Sequence, residues 1–288
     1  MSASVRFDGE IIISRQNRRI VELMKLDDRR AREKTRTFRF DGVKLLCEAI
    51  RRGVEIDTVF LRAGTAERVA SRMEELYGCS LSEAGCPVLG VEDSLFEKIS
   101  QENAPDGVIT VAKYIDKSHN FIIIYKEDEA SALKDAPILL LEAVRDPLNV
   151  GAIIRSAAAL GVGHIIMSAD CADLYHARTL RAAMGPLFSM PITRVEDLPG
   201  TVKALRASGR RIYAAALDDT ALRLGSSELD REREGHPVGA VIGNEGHGLS
   251  EAVMAACDRS VYIPMEADTE SLNAGVAAAL IMWELCKK

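Results

Sequence analysis

The sequence predicts an α/β protein of two domains, the second built on a parallel sheet. The chain has 288 residues, of which 47% are hydrophobic, a length that suits two modest domains better than one. Strand-like apolar runs alternate with helical patterns along most of it. After Ile138 these runs are apolar throughout, as in strands that are covered on both faces of a parallel sheet. We place one domain at 1–116, a connection at 117–137 and a second domain at 138–288.

The first domain has the pattern of helices alternating with strands. Ser14 is a candidate N-cap for a helix that carries Ile20 and Leu23, and Asp41-Gly42 precedes a second helical stretch. Beyond it, the apolar spacing predicts strand, helix, strand, helix and strand over 58–61, 66–77, 87–91, 94–100 and 108–112. The segment 121–137 begins with an apolar, strand-like piece and ends in charged residues and a proline, so we interpret it as the interdomain connection.

The second domain contains five strand candidates, at 138–144, 164–168, 211–217, 238–243 and 260–264, and ends in a helix between 271 and 288. Asn149 is a candidate cap of a helix at 151–160, and Ser271 or Asn273 opens the last helix. Polar and small residues are dense in three segments that follow strands, at 145–161, 241–250 and 261–280. Because ligands bind at the carboxyl ends of parallel strands, we expect these segments to converge on a site.

Composition narrows the class of protein. The formal net charge is −6, yet residues 15–39 contain ten Lys or Arg against four acids, an excess that can neutralise phosphates. The alternative is a solvated helix face with pairs such as Arg29 with Glu33. The six cysteines form no C-x-x-C pair and lie apart from the histidines, which predicts neither disulfides nor a metal site. With no membrane-length apolar run and no secretory leader, we expect a soluble, cytoplasmic protein.

The loop VIGNEGHGLS, residues 241–250, is rich in glycine but matches neither familiar nucleotide loop. No lysine follows the last glycine, as a P-loop requires, and the spacing G-x-x-G-x-G is not the dinucleotide fingerprint. Its glycines either supply positive φ for a turn or leave backbone amides open to a ligand. Arg155 rises from an apolar helical stretch, and its permanently charged fork suits a phosphate.

Three stretches resemble, in sequence and order, the motifs of the SpoU (TrmH) family of RNA ribose 2′-O-methyltransferases, in the SPOUT superfamily: NVGAIIRSA at 149–157, VIGNEGHGLS at 241–250 and IPMEADTESLNAGVAAAL at 263–280. The stretch RTLRAAMGPLFSMPI at 178–192 is similar to the family as well. RTFRFDGVKLLCEAI at 36–50 and PDGVITV at 105–111 resemble the family's N-terminal substrate-binding domain, an α/β module akin to RNA-binding ribosomal proteins.

This resemblance implies a parallel sheet tied in a deep C-terminal trefoil knot, and a homodimer formed through the C-terminal domain. It implies S-adenosylmethionine as the cofactor, held by Leu217, Gly243, Asn244, Gly246, Gly248, Ile263, Met265 and Leu272. The matching catalytic or site-shaping residues are Arg155, Asn149, Glu245, Ser271 and Asn273. In the basic run, we expect RNA to contact Arg29, Arg30, Arg32, Arg36 and Arg39.

The predicted function is methylation of a ribose 2′-hydroxyl, most plausibly in large-subunit (23S) ribosomal RNA because of the N-terminal module. Arginine is a poor base, so we assign to Arg155 phosphate binding and stabilisation of the developing alkoxide, leaving the general base open. The alternatives are a tRNA 2′-O-methyltransferase and a non-catalytic RNA-binding or ribosome-assembly protein on the same scaffold. A nucleotide-binding oxidoreductase is disfavoured by the missing dinucleotide fingerprint.

Overall fold

The computed structural model describes residues 5–115, 135–266 and 271–286. The chain divides into two compact units: Met1–Ile115 with Tyr175–Leu180, and Asp116–Leu174 with Arg181–Lys288. Most of the connection predicted at 117–137, including its strand-like piece, lies outside the described residues. Within the described ranges, no helix is long and apolar enough to cross a membrane.

Unit 1 is a four-stranded sheet with helices on both faces. Its strands are β1 (Thr37–Asp41), β2 (Ile56–Arg62), β3 (Val88–Val91) and β4 (Val108–Lys113), in the spatial order β1-β4-β2-β3. β4 pairs antiparallel with β1 and β2, whereas β2 and β3 are parallel. Its helices are α1 (Arg18–Lys25), α2 (Arg29–Thr35), α3 (Val43–Arg51), α4 (Ala66–Tyr77) and α5 (Asp93–Ile99).

The first helix begins at a different residue from the one that the sequence suggested. Asn17 is the N-cap of α1, where its side chain accepts a hydrogen bond from the amide of Arg19. Ser14 instead accepts from the amide of Gln16, in the turn before the helix. α1 presents Ile20, Leu23 and Leu26 to one face of the sheet, and these residues join a core with apolar residues of β2, β4 and α5.

Residues Tyr175–Leu180 belong to unit 1, although they are far from its other residues in sequence. The ring of Tyr175 stacks on Tyr114 at a centroid distance of 3.9 Å and lies 4.5 Å from Phe38. Its hydroxyl accepts a hydrogen bond from the amide of Ile115. The helix Ala177–Ala183 (α7 in chain order) is therefore divided between the two units.

Unit 2 is a seven-stranded sheet in which every described pairing is parallel. In the spatial order β7-β6-β5-β10-β8-β11-β9, the strands are Ile192–Val195, His164–Ser168, Ile138–Leu141, Val238–Ile242, Arg211–Ala215, Arg259–Tyr262 and Leu222–Arg223. The central strands are buried along their length, as their apolar sequences predicted. β1, β7 and β9 were not predicted. β9 has only two residues, which is too short for a local pattern, and it forms where β11 pairs with it.

The helices of unit 2, besides its part of α7, are α6 (Pro147–Leu160), α8 (Leu198–Ala207), α9 (Ser227–Arg233), α10 (Glu251–Ala256) and α11 (Ala274–Leu285). α8 and α10 cover one face of the sheet, where Val202 and Val253 join the core, and α6 packs against α11. The cap predicted for α6 is wrong. Asp146 is the N-cap and Pro147 the first helical residue, so Asn149 lies within the first turn.

Candidate functional site

The site lies where the order of strands in unit 2 reverses. β5 pairs with β6 on one side and with β10 on the other, so the loops that follow β5 and β10 leave the same edge of the sheet side by side. Ligands of open parallel sheets bind at such a reversal, outside the carboxyl ends of the strands. Here the two loops are residues 142–146 and 243–250, and the second is the glycine-rich sequence.

Three polar residues, one from each sequence motif, form a continuous chain of hydrogen bonds. Asn149 is 7% exposed; its Nδ2 donates to Oε1 of Glu245 over 2.9 Å, and its Oδ1 accepts from Nδ2 of Asn273, also over 2.9 Å. A buried amide whose donor and acceptor are both satisfied is held in one orientation. The structure therefore brings Asn149, Glu245 and Asn273 together although they lie 96 and 124 residues apart along the chain.

Hydrogen-bond donors surround the carboxylate of Glu245. Burial opposes its ionisation, but the hydrogen bond from Asn149 and bonds from backbone amides, including those of Arg145 and Asp146, outweigh burial and lower the pKa of Glu245. A carboxylate whose pKa is lowered and whose oxygens already accept N–H groups is a weak proton acceptor. Glu245 is therefore suited to organising the loops rather than to acting as a general base.

The glycine-rich loop closes on itself through Asn244 and Gly248, which exchange two backbone hydrogen bonds of 2.9 and 3.0 Å. A Cβ at Gly243 would lie 2.4 Å from the carbonyl carbon of Gly248, and Gly248 itself has a φ of +67°. These two glycines are therefore required by the turn. A Cβ at Gly246 would meet nothing closer than 3.6 Å, so this glycine leaves one side of the loop open without being needed for closure.

Asn244 fastens the loop to the neighbouring strand. Its Nδ2 donates to the carbonyl of Ala143 over 2.8 Å, while its Oδ1 accepts from the amides of Gly246 and His247. Ala143 has a φ of +51°, a left-handed conformation that costs a non-glycine residue energy. Its amide donates to the hydroxyl of Ser168, so contacts on both sides hold this conformation in place.

Asn273 is the N-cap of α11, as the sequence allowed. Its Oδ1 accepts from the amides of Gly275 and Val276 at 2.9 and 3.3 Å, which leaves its Nδ2 for Asn149. A Cβ at Gly275 would lie 3.4 Å from Cβ of Ala152, so the small residues after Asn273 let α11 approach α6 closely. One asparagine thus starts the last helix and ties it to the first motif.

Arg155 and Ser271 do not join this network. Both side chains are exposed, and no hydrogen bond or ion pair links them to a residue in the described ranges. The sequence suggested that Arg155 either lies along the surface or meets an anion. Arg155 lies in α6, and its exposed guanidinium, without a partner among the described residues, is available to an anionic ligand.

The residues expected to bind the cofactor end three adjacent strands, β10, β8 and β11. Leu217 follows β8 and is 78% exposed, Met265 follows β11 and is 45% exposed, and Ile263 is half-buried. Leu272, before α11, is half-buried too. Exposed apolar side chains at the carboxyl ends of these strands fit a ligand with a flat heterocycle and an apolar sulfonium arm, such as S-adenosylmethionine. Among the described residues, no cluster of metal-ligating side chains is present.

Two of the five arginines expected to contact RNA are buried within unit 1. Arg32 is 4% exposed, and its Nη1 donates to the carbonyls of Leu26 and Asp27 at the end of α1. Arg39 is 2% exposed; its Nε pairs with Asp27 over 3.1 Å and its Nη2 donates to the carbonyl of Ile99 at the end of α5. Helix ends leave carbonyls without partners, and these guanidiniums satisfy them. Their role is to hold unit 1 together.

The remaining three arginines differ in their surroundings. Arg29 pairs with Glu33 over 2.7 Å, as the alternative interpretation of the basic run proposed. Arg36 stacks its guanidinium 4.4 Å from the ring centre of Tyr114. Arg30 is exposed, and its side chain has no partner among the residues that the structure describes. The basic run therefore mixes structural and surface cations.

Two residues of the site were not found from the sequence. Glu142 follows β5 and accepts hydrogen bonds from the amide and the hydroxyl of Ser250, at 2.8 and 2.6 Å. Asp146 caps α6, a position that the pair Asp146-Pro147 signals, because proline is favoured at the first helical residue. No local pattern marks Glu142, since its partner lies 108 residues away.

Comparison with known proteins identifies both halves of the chain. Residues 136–283, about half of the protein, match the model of the SpoU rRNA Methylase family. Residues 17–110 match the MRM3-like substrate binding domain. The second match runs from before α1 into β4 of unit 1, and the first covers the strands of unit 2 and most of its last helix.

Individual relatives are similar over nearly the whole chain. The 23S rRNA (guanosine(2553)-2′-O)-methyltransferase RlmP of Bacillus subtilis (strain 168) is 28% identical over 274 residues, which cover 95% of this chain and 98% of that protein. The AdoMet-bound rRNA methyltransferase of Sinorhizobium meliloti has a TM-score of 0.78 and 25% identity, covering 96% of this chain and 97% of that one. The SpoU methyltransferase AviRb of Streptomyces viridochromogenes, with AdoMet, has a TM-score of 0.73 and 27% identity, covering 94% and 97%. The chain belongs to the SpoU rRNA Methylase family.

Proposed function

We propose that this protein transfers a methyl group from S-adenosylmethionine to a ribose 2′-hydroxyl of RNA. The observation that carries the proposal is the hydrogen-bonded chain of Asn149, Glu245 and Asn273, which joins the three motif segments. The exposed Arg155 of the first segment has no side-chain partner among the described residues. At the centre of the chain of hydrogen bonds, Asn149 is buried and has partners for both its amide nitrogen and its amide oxygen, which supports a preorganised catalytic site over a scaffold that only binds RNA.

The cofactor proposal is supported by two relatives that bind AdoMet, from Sinorhizobium meliloti and Streptomyces viridochromogenes. In this chain, Leu217 and Met265 would cover the apolar parts of the cofactor, and the open side of the loop at Gly246 would present backbone groups to it. When bound, the cofactor supplies an electrophilic methyl group. The residues of the chain then have to place a hydroxyl in line with that group.

Arg155 is the residue that we assign to the RNA. A guanidinium stays protonated at every physiological pH, so it binds a phosphate and stabilises negative charge that develops on the attacking oxygen. Glu245, whose pKa is lowered, keeps the loops in place and leaves the RNA hydroxyl to other groups. We assign Ser271, which is exposed two residues before Asn273, to the same ligand.

Large-subunit ribosomal RNA is the proposed substrate. The support is the likeness to RlmP of Bacillus subtilis, a 23S rRNA 2′-O-methyltransferase, over 95% of this chain. The match of unit 1 to a substrate-binding domain agrees with an RNA-binding function for the first half of the chain. A transfer RNA substrate is the second candidate. A cytoplasmic location and the deep trefoil knot implied by the family resemblance belong to the same proposal.

The experiment is methyl transfer from labelled S-adenosylmethionine to total RNA from a strain that lacks the gene. We expect alkali-resistant label in 23S rRNA, because a 2′-O-methyl group blocks cleavage at the modified nucleotide. Arg155→Ala should abolish transfer and keep cofactor affinity. The matched control is Lys203→Ala, which removes an exposed cation from α8, on the other face of the sheet.

If only transfer RNA is labelled, the substrate is transfer RNA, the second candidate, and not ribosomal RNA. Measurable RNA binding with no transfer to any RNA would overturn the enzymatic proposal. Transfer by Arg155→Ala at the rate of the wild type would refute the role of that arginine.

We also propose a homodimer through α11. Val276, Leu280 and Trp283 recur at helical spacing, and all three are exposed, with Trp283 at 62%. A contiguous apolar stripe of this kind is unusual on a monomer surface and suits a second copy of the chain. Because α11 begins at Asn273, such an interface would lie close to the site.

Sedimentation of the full-length protein tests the dimer. Trp283→Glu places a charge on the most exposed residue of the stripe and should convert the dimer to a monomer. Leu76→Glu, at a residue of α4 that is 64% exposed, is the matched control and should leave the mass unchanged. A wild-type protein that sediments as a monomer at all concentrations would refute this part of the proposal.

A further inference from the structure

Unit 1 contains a groove of about 440 Å³ between α1, α2 and the sheet, outside the site described above. Its floor is apolar, with Leu23, Leu26, Phe60 and Val111. The charged residues that line it are Arg19, Glu22, Lys25, Lys34, Asp57 and Lys113. The groove therefore joins an apolar base to a rim rich in cations.

The acids of the rim are already neutralised. Glu22 accepts from Arg18 over 2.8 Å, and Asp57 lies 3.6 Å from the ammonium of Lys113. The remaining cations differ: the side chains of Arg19, Lys25 and Lys34 are exposed and have no ionic or hydrogen-bond partner among the described residues. Three uncompensated positive charges thus converge on one groove and require an anionic ligand or water.

We propose that this groove binds the backbone of a single RNA strand through Arg19, Lys25 and Lys34. The rim provides the positive charge that phosphates need. A groove of this size has room for part of one strand but not for a helical duplex. The inference rests on the proposed RNA substrate and adds where unit 1 holds it.

The test is the affinity for a short fluorescent single-stranded RNA of mixed sequence, measured by anisotropy at several salt concentrations. The variant carries Arg19→Gln, Lys25→Gln and Lys34→Gln. Each phosphate contact on a single strand contributes about 0.7 to the slope of log affinity against log salt, so three lost contacts lower the slope by about 2. At about 0.1 M salt this corresponds to about 100-fold weaker binding, and the difference vanishes near 1 M.

The matched control carries Arg52→Gln, Arg68→Gln and Lys98→Gln, three exposed cations of unit 1 that do not line the groove. We expect the control to retain the wild-type salt slope. If the groove variant loses no more RNA affinity than the control, the proposal is wrong. If the groove variant loses as much affinity for a duplex of equal length as for the single strand, the groove does not select single-stranded RNA. Methyl transfer by the wild type is measured in a separate assay, so a failure of the proposed enzymatic activity can be told apart from a failure of the proposed RNA groove.

A second observation concerns the loop of the site itself. Residues 142–146 bind the loop 243–250 at several points, through the carbonyl of Ala143 and the amides of Arg145 and Asp146. Those contacts use backbone groups and tolerate other side chains. Glu142 is different, because its carboxylate holds both the amide and the hydroxyl of Ser250.

We infer that Glu142 is a positioning residue for the cofactor loop. Ser250 both ends that loop and caps α10, since its hydroxyl accepts from the amide of Val253. With Asn244 fixed to Ala143 at one end and Ser250 fixed to Glu142 at the other, the open part of the loop around Gly246 is held for its ligand.

Calorimetry with S-adenosylmethionine tests this role. Glu142→Ala should weaken cofactor affinity about tenfold or more, because a charge-assisted pair of hydrogen bonds is lost, while kcat at saturating cofactor stays close to wild type. Glu142→Gln keeps an acceptor for the amide and should rescue most of the affinity. Glu251→Ala, next to Ser250 and without a contact to the loop among the described residues, is the control.

Unchanged cofactor affinity in Glu142→Ala would overturn this inference. A parallel loss of stability, affinity and kcat, without rescue by glutamine, would assign Glu142 a purely structural role. A wild type that binds S-adenosylmethionine but transfers no methyl group would leave the affinity test intact, since binding is measured directly.

Discussion

Replacing Asn149 by alanine removes the side chain that joins Glu245 to Asn273. Its Nδ2 and Oδ1 each make a 2.9 Å hydrogen bond, and the residue is only 7% exposed, so water has little access to the groups left behind. Glu245 would keep its backbone donors from Arg145 and Asp146, both longer at 3.4 Å. Asn273 would keep its role as the cap of α11 and lose the acceptor for its Nδ2.

The size of the effect follows from these contacts. A hydrogen bond to a charged group contributes about 1.5–3 kcal/mol and a neutral one about 0.5–1.5 kcal/mol. Losing both costs about 2–4.5 kcal/mol, and water that enters the space recovers part of this, so we expect about 3 kcal/mol. If the same energy organises the site for catalysis, kcat/KM falls about 100-fold, since each 1.4 kcal/mol is tenfold.

Urea unfolding at neutral pH and methyl transfer to RNA measure the two consequences. Asn149→Asp is the informative companion, because it keeps the acceptor for Asn273 but puts a second carboxylate beside Glu245. In the wild type, the lowered pKa of Glu245 contributes stability that is present above its unfolded pKa and is lost as pH falls through the folded pKa. In Asn149→Asp the paired carboxyls share a proton and their pKa rises, so this variant gains stability relative to the wild type as pH falls.

An Asn149→Ala protein that unfolds within about 0.5 kcal/mol of the wild type and keeps its turnover would refute the reasoning, since such small changes are typical of surface positions. A large loss of stability with unchanged kcat/KM would separate folding from catalysis and assign the network to the fold alone.

Three further predictions follow from single residues. Gly243→Ala should open the glycine-rich loop and lower the stability of the protein, because its Cβ would lie 2.4 Å from Gly248. Gly246→Ala, whose Cβ has space in the folded loop, is the control for stability, and equal losses in thermal unfolding would contradict the geometry. His164 is buried against Thr193, and burial lowers its pKa to about 4 from 6.5. Between pH 6.5 and 4 the unfolded chain therefore binds a proton at His164 that the folded chain does not bind, and the free energy of unfolding falls as pH is lowered through this range. From pH 7 to about 5 we expect a loss of about 2 kcal/mol, which His164→Gln should not show. The same pH dependence of urea unfolding in the wild type and in His164→Gln would contradict this prediction. Ala143→Gly should raise the melting temperature, since glycine relieves a φ of +51° by up to about 1 kcal/mol, whereas a lower melting temperature would show that this conformation carries no strain.

Much of the fold was predictable from local patterns. The helix at 66–77 and the strand at 164–168 were predicted with the bounds that the structure has, because apolar spacing and burial agree there. The predicted start of α6 was wrong. Asp146 caps the helix and Pro147 occupies its first position, so Asn149 does not act as the cap and its side chain binds Glu245 instead. β9 has two residues and pairs with β11, so its existence depends on a partner rather than on its own sequence.

The sequence by itself determined the family, the order of strands and helices along most of the chain, and the motif residues around Asn149, Glu245 and Asn273, since all of these are recorded in local spacing and residue type. Only the tertiary structure decided which Lys and Arg side chains, among the described residues, pair with other groups of the protein and which do not. Arg39 binds the carbonyl of Ile99, 60 residues away, and Arg32 binds the carbonyl of Leu26 after α1, whereas Lys25 and Lys34 line a groove. Charge is a property of the residue, but burial and pairing depend on partners that only the folded chain brings together.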